Sequence, residues 1–534
     1  MNDRAHAWDD EADVVVIGYG FAGGAAAIAA ADAGSRVLLL EKMAVPGGIS
    51  ICSGGGVRVA NDAGKALRYL EATNAGTTPM ELLRAFAQEM TTLRARFEAL
   101  AKINGAKVTA LDRPANYPLP GWDTFQFIEV ESVPGFDPRR EYPHARSLKA
   151  GMNAFKVVDD NVRARPVIEV RMASPVTRLL QDDRGAVAGV QVTCLPGPRQ
   201  EHSGAGSGRG PISRRIRARR AVILACGGFE SDLAMQRQYW QMHPVLPAAT
   251  RGNTGDGIRM AQALGADLQH MWHFHGSYGF HHTDPAYVFG IRSKKLPDWT
   301  PGVMATSVAM SWILVDRDGV RFMNEYEPYA HDTGHRPFDR YDPTTMRFPA
   351  LPAFMVFDEP GRAMYPVARS FINDPEIAPY EWSDDNLEEV ALGILKRADS
   401  VAELARAMGV REETLAATLE RWNRLCASGA DDPLGRPAAT RTPVSRPPFY
   451  CGEIWPVVSN TQGALAHDVE QRVLNPFGER IERLFVAGEL GSIWGFLYLS
   501  GGNLAECFVS GRIAGERAAA MAPAALPSES PQHH

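Results

Sequence analysis

Residues 12–42, ADVVVIGYGFAGGAAAIAAADAGSRVLLLEK, decide the fold. The segment opens on the apolar, β-branched run 12–17. It passes through glycines into an alanine-rich stretch at 21–33 and closes on a second apolar run at 36–40. Valine and isoleucine favour strands and alanine favours helix, so the order reads strand, helix, strand. Gly18, Gly20 and Gly23 spell G-x-G-x-x-G at the first junction, and Glu41 stands twenty-three positions after Gly18, where the second strand ends. Each part has a mechanical task in a dinucleotide site. The first glycine allows the tight turn, the second lets the backbone approach a pyrophosphate, and the third lets the helix pack closely. The helix N-terminus attracts the phosphate charge. Glu41 accepts hydrogen bonds from an adenosine ribose, and its charge repels a 2′-phosphate, which disfavours NADP.

Outward from this core, helical patterns recur at 79–100, 257–264, 385–409 and 412–426, and an apolar strand at 221–225 runs into Gly227 and Gly228. The class is α/β. A chain of 534 residues exceeds one ordinary core, so two domains are expected. Residues 111–141 and 280–352 are rich in proline, glycine and aromatics and read as loops or a lid. Residues 195–211 read as a mobile hairpin tip, and the tail after Ala522 has no pattern.

Net charge is −6, from 56 Lys and Arg against 62 Asp and Glu, so the chain lacks the basic footprint that nucleic acid selects. The one basic cluster, 213–220, reads as a solvated strand edge. Six scattered cysteines (52, 194, 226, 426, 451 and 507) without a CxxC pair read as reduced core thiols. No stretch is long and apolar enough to span a membrane, and the acidic amino terminus has no leader pattern, so a cytoplasmic enzyme is expected.

Further motifs extend the fingerprint: Glu41-Lys42 before Pro46-Gly47-Gly48, then Gly54-Gly55-Gly56, ACGGF at 225–229, TGDG at 254–257, LFVAGE at 484–489 and Gly501-Gly502-Asn503. Together they resemble the flavoprotein family of fumarate reductase and succinate dehydrogenase, which includes the 3-ketosteroid dehydrogenases, over nearly the whole chain. The resemblance implies a Rossmann-type FAD-binding domain built from residues 1–283 and 447–534, with an α+β substrate or cap domain inserted at 284–446. It implies FAD contacts from Gly18, Gly20, Ala22 and Gly23 in the fingerprint, and from Glu41, Lys42, Gly48, Ser50, Gly54 and Gly55 in the following loops. Val176, Gly227 and Asp256 are implied from the middle of the chain, and Glu489, Asn503 and Leu504 near its end. A C-terminal strand is expected to return beside the fingerprint, placing Glu489 on the ribityl chain. The helix opening near Asn503 would then direct its positive end at the flavin pyrimidine. The family histidine that attaches FAD has no counterpart in residues 43–59, so FAD is expected to be non-covalent. No metal is expected: the histidines 270, 273, 275, 281 and 282 have no Cys, Asp or Glu at ligand spacing.

The family's dicarboxylate clamp is missing. A proton-donating arginine four residues after an Asn-Glu pair is Tyr329 here. A histidine ahead of Thr-x-Gly is Asn460, and an arginine just before Gly-Gly-Asn is replaced by Tyr498-Leu499-Ser500. Arginine forks hold carboxylates bidentately, so their loss argues against succinate or fumarate. Tyr498-x-Ser500-Gly-Gly-Asn after Gly-Glu-Leu-Gly-Ser most resembles the 3-ketosteroid Δ4-(5α)-dehydrogenases. The implied reaction is α,β-desaturation of a small apolar ketone, a steroid by resemblance. A proton leaves the α carbon for a tyrosine and a hydride leaves the β carbon for flavin N5, with the electron acceptor unidentified. Tyr498 and the backbone N–H of Gly502 are candidates to polarise the carbonyl, Tyr329 is the candidate base, and Ser500 relays or orients Tyr498. The two tyrosines are exchangeable at this stage, Tyr326 rivals Tyr329, and Tyr117 is a weaker lid candidate. Aromatics across 272–289 read as walls of an apolar pocket. Two other functions stay open: a flavin-dependent reductase of an activated C=C bond such as an enone, and a non-catalytic flavin-binding redox sensor.

Overall fold

The structure, a computed structural model, describes residues 8–194 and 212–524. The hairpin tip 195–211 and the tail from 525 lie outside the described residues. Strand Asp10–Ile17, helix Phe21–Asp32 and strand Val37–Leu40 form as the sequence predicts, and the strands pair in parallel with Val14 opposite Val37 and Ile17 opposite Leu40. Both faces are apolar because both are covered. Val14, Val16, Val37 and Leu39 point into one buried cluster, and Val15, Ile17, Leu38 and Leu40 into another.

The sheet runs 472–474, 480–486, 212–224, 10–17, 37–40, 168–171 from edge to edge. Strand Arg480–Val486 does return to it in parallel, with Leu484 opposite Val222. It is not beside the fingerprint strand, however, because Ile212–Leu224 stands between them. That strand also corrects the reading of the basic run. Residues 212–217 pair with Val187–Cys194 and residues from Ile216 pair with Asp10–Ile17, so the run enters the sheet interior. Part of its charge is matched by the adjoining strand, where Glu11 and Asp13 pair with the Arg219 guanidinium.

The fingerprint helix packs against the C-terminal helix Gly502–Ala520 through small residues on both sides. A Cβ on Gly511 would lie 2.6 Å from the Ala22 carbonyl oxygen, and one on Gly515 2.4 Å from that of Ala26. The backbones meet so closely that any larger residue would push the helices apart, and overpacking of this kind costs about 1–3 kcal/mol.

A second, mainly antiparallel sheet has the order 313–315, 353–358, 449–461, 274–280, 291–293, 368–369. Its two longest neighbours, Phe274–Phe280 and Phe449–Thr461, lie on either side of the 284 and 446 boundaries in sequence, so the sheet extends past both. Helices Val401–Met408 and Glu412–Ser428 cover it with a cluster that includes Trp422 and Leu404.

Met80–Ala101, Asp256–Gln262 and Glu412–Ser428 are helices near the expected limits. The pattern at 385–409 is instead interrupted. A short helix Leu387–Ala391 gives way at Gly393, whose φ is 76°, to strand Lys396–Ala398, and the Ser400 side chain then caps a new helix. Stretch 111–141 is likewise not all loop, since Phe125–Ser132 is the central strand of a three-stranded sheet with Val57–Ala60 and Lys107–Leu111. Among the described residues no helix is long and apolar enough to cross a membrane, and the five cysteines described are free.

Candidate active site

A single cleft of about 1360 Å³ runs from the fingerprint to the tyrosines. This exceeds the roughly 300–1,000 Å³ usual for one small ligand, leaving room for an extended cofactor and a substrate together. Of the expected contacts, Gly18, Gly20, Ala22, Glu41, Lys42, Gly48, Ser50, Gly54 and Gly55 line it, as do Val176, Gly227, Asp256, Glu489, Asn503 and Leu504. Tyr329, Tyr498 and Ser500 line it too. Gly23 and Gly502 are not among the lining residues. A Cβ on Gly23 would sit 1.8 Å from the Gly18 carbonyl oxygen, so its role is to let the helix pack.

The fingerprint end is braced internally. Gly18 has φ 102°, which L side chains rarely adopt. The Ser50 hydroxyl accepts from the Phe21 N–H at 3.0 Å, fixing the loop below the helix start. Glu41 is buried and accepts from two backbone N–H groups, Tyr19 at 2.8 Å and Met43 at 2.8 Å. Burial pushes its carboxyl above the ordinary range while those N–H groups pull it back. A carboxylate has about four acceptor positions, so two remain for ribose hydroxyls. Lys42 is engaged by Asp256 at 2.7 Å and Thr254 at 2.7 Å.

The residues fit FAD on grounds independent of the motif. Gly48 and Gly54 present bare backbone where a Cβ would enter open space, as a close-fitting ligand requires. The amide nitrogens of Asn253 and Asn503 line the cleft, buried and without a protein partner. Buried donors of this kind cost about 1–3 kcal/mol when left unmade, which a bound cofactor can relieve. Glu489 accepts from the Thr461 N–H at 2.7 Å and hydroxyl at 2.8 Å. Beside it, burial and the Glu489 charge push the Glu230 carboxyl well above its ordinary range.

At the other end Tyr329 and Tyr498 are both buried. Burial holds both phenols above their usual range, with the negative charge of Asp298 adding to the effect at Tyr329 and that of Asp332 at Tyr498. Tyr498 accepts from the Asn503 N–H at 3.1 Å, at the start of the C-terminal helix. Its own hydrogen therefore remains to be donated. Ser500 lies near enough to the Tyr329 hydroxyl to pull that phenol's pKa down against the effect of burial. Gly502 is a correction: its N–H donates to the Leu499 carbonyl at 2.7 Å and is not presented to a ligand. Tyr326 turns away and donates to the Pro297 carbonyl at 2.8 Å, which removes it as a rival in this loop. Tyr117 lies behind Tyr329, ring edge to face at 6.2 Å, and donates to Asp332 at 2.7 Å.

Sequence reasoning missed several groups here. Asp332, three residues after Tyr329, is fully buried and accepts from the Tyr498 backbone N–H at 3.0 Å. His275 packs 4.3 Å from the Tyr498 ring and is kept neutral by burial. Its Nδ1 and Asp332 Oδ1 lie 3.6 Å apart, too far for a hydrogen bond, and neither atom has another partner. The histidine run did point at this place, but its members scatter: His273 bonds the Trp494 carbonyl and His270 that of Thr77. Among the described residues no group of three or more His, Cys, Asp or Glu side chains is placed to hold a metal. The aromatics across 272–289 are not its walls: of that span only His275 lines the cleft, while Phe274, Tyr278, Phe280, Tyr287 and Phe289 pack into the buried core, and Arg58, Arg292, Lys294 and Lys295 line it instead.

The chain matches the FAD binding domain family over residues 13–504. It is 27% identical to digoxin reductase of Eggerthella lenta, over 97% of this chain and 88% of that protein. Its fold is similar to 3-ketosteroid Δ1-dehydrogenase from Sterolibacterium denitrificans, with a TM-score of 0.75, 22% identity and coverage of 96% and 100% of the two chains. It is also similar to 3-ketosteroid Δ4-(5α)-dehydrogenase from Rhodococcus jostii RHA1, at TM-score 0.63, 23% identity and coverage of 96% and 98%. With the fingerprint, the returning strand and the cleft described above, the chain belongs to the FAD binding domain family and is an FAD-dependent oxidoreductase acting on carbon–carbon bonds.

Proposed function

We propose that the protein desaturates the α,β-bond of a 3-ketosteroid-like ketone, in the manner of a Δ4-(5α)-dehydrogenase. The observation that carries this reading is the tyrosine pair: two buried phenols line one cleft, and the oxygen of one, Tyr498, accepts from the helix start at Asn503. Tyr498, whose oxygen accepts from Asn503, donates its hydrogen to the ketone oxygen. A developing enolate gains about 3–4 kcal/mol from one such donor. Tyr329, with Ser500 at its hydroxyl, takes the α proton. Bound FAD supplies the acceptor for the hydride from the β carbon. His275 and Asp332 fix Tyr498 from behind. We infer that segment 284–446 acts as a cap over this end, carrying Tyr329 on the second sheet's side of the cleft.

A second reading, reduction of an enone, is favoured by one observation. Both phenols are held protonated at neutral pH, which suits a proton donor better than a base. Anaerobic mixing of the holoenzyme with a panel of saturated 3-ketosteroids tests the first reading through flavin bleaching. Reoxidation of reduced enzyme by the corresponding enones, with no bleaching by any saturated ketone, would replace it with the second. Succinate and fumarate should not be turned over, because Tyr329, Asn460 and Leu499 stand where the carboxylate-handling groups would be.

A further inference from the structure

The geometry points to an anion subsite on the cleft wall, formed by Arg292 and Arg369 with Lys294, that receives a carboxylate carried by the ketone substrate. The inference rests on reading the tyrosine end of the cleft as the reacting end. Strands Ile291–Ser293 and Ala368–Arg369 pair antiparallel with Arg292 directly opposite Arg369. Residues directly opposite in such a pair project to the same face, and like charges there repel. Arg292, Lys294 and Arg369 all line the cleft.

Among the described residues, none of the three has a carboxylate at ion-pair distance. The contacts Arg292 does make are neutral: His331 Nδ1 at 3.4 Å, with the imidazole held uncharged by burial, and the Phe371 ring at 5.8 Å. Lys294 lies 4.9 Å from the Tyr365 ring centre. Neighbouring cations are treated differently. Lys295 pairs with Asp298 at 3.3 Å, and Arg139 and Arg146 both pair with Glu381. Burial lowers the pKa of both Arg292 and Lys294, with the nearby Arg369 charge adding to the effect at Lys294. A guanidinium fork suits the planar, bidentate geometry of a carboxylate better than a point charge would. Arg292 is also close enough to Tyr329 for their charges to interact, which puts the subsite on the substrate side of the cleft. The chain has therefore lost the family's clamp beside the Asn-Glu and Gly-Gly-Asn motifs but carries cations on a different strand pair.

The test compares 3-oxo-5α-cholanoate with its methyl ester on holoenzyme reduced anaerobically, which cannot take their hydride, following the flavin absorbance change on equilibrium binding at low and high salt, and then follows flavin bleaching by each compound on the oxidised holoenzyme. The acid is expected to bind roughly 10-fold or more tightly than the ester, and the preference should shrink as salt screens it. Arg292→Met and Arg369→Met should each reduce the preference while leaving ester binding and FAD content unchanged. Arg369 is exposed, so its replacement leaves the core intact even if Arg292→Met folds poorly. Equal binding of acid and ester, no flavin perturbation by either, or a preference that survives in Arg369→Met and in any folded Arg292→Met would overturn the subsite. Loss of FAD from either variant would overturn it too, by assigning the cations to the cofactor. If the acid binds with the expected preference yet neither compound is desaturated, the ketone reading fails and the anion subsite stands. If acid and ester bind and turn over equally, the reverse holds.

Discussion

Replacing Glu41 separates a structural task from a binding task. The carboxylate accepts from the N–H groups of Tyr19 and Met43, both at 2.8 Å, and these hold the glycine turn and the segment after the second strand in place before any ligand arrives. Glu41→Ala strands both donors. An orphaned buried N–H costs about 1–3 kcal/mol; Tyr19 bears the full amount, and Met43, partly open, bears less. The apo-protein should therefore lose about 2–4 kcal/mol in the unit that contains the fingerprint. Glu41→Gln keeps one acceptor oxygen and removes a charge that burial disfavours, so its loss should be about half. The assay is urea unfolding of the three apo-proteins by circular dichroism, with FAD affinity measured separately from quenching of flavin fluorescence. FAD affinity should fall in both variants, since both disturb the ribose acceptor. An apo Glu41→Ala protein that unfolds at the wild-type midpoint would refute the bracing role and leave the carboxylate with the ribose alone.

The tyrosines yield sharper kinetic outcomes. Tyr498→Phe should lower flavin reduction by saturated ketone by roughly 10²-fold or more, and Tyr329→Phe by ~10²–10⁴-fold. The double variant should lose far less than the product of the two if they serve one coupled step. Tyr326→Phe should be near wild type, because that hydroxyl is spent on the Pro297 carbonyl; collapse of activity there would reverse the choice of base. The pH profile follows from the direction of the Tyr329 shift. Its pKa lies above the ordinary phenol range, so the base form is scarce at neutrality, and desaturation should gain about tenfold per pH unit through the alkaline range. Enone reduction, which uses the protonated form, should be flat there. A desaturation rate independent of pH from 7 to 9 would count against Tyr329 as the base. Finally, acid precipitation should release intact FAD, since residues 43–59 contain no histidine; flavin remaining on the denatured chain would show a covalent link elsewhere.

Local sequence determined what local physics controls. The βαβ unit, the glycine turn and the acidic residue after the second strand follow from propensity and spacing within thirty residues, and they form as read. The motif positions also led to a tyrosine pair that shares one cleft. What only the tertiary structure decided depends on groups distant in the chain. Ser500 stands two residues after Tyr498 in sequence, yet it is the Tyr329 phenol whose pKa it lowers, while the Tyr498 oxygen accepts from the Asn503 N–H. Gly502 sits in the expected motif, but its N–H closes on Leu499. Asp332 and the cross-strand partners Arg292 and Arg369 carry no local signature, and the histidine run could not say which member packs on Tyr498, since register sets the arginines opposite one another and packing brings His275 and Asp332 to the tyrosine. The strand Arg480–Val486 rejoined the sheet as its apolar pattern allowed, but its neighbour was fixed by where Ile212–Leu224 already lay. Periodicity fixes which face of an element is buried, whereas the identity of its neighbour is set by the whole chain closing around one core.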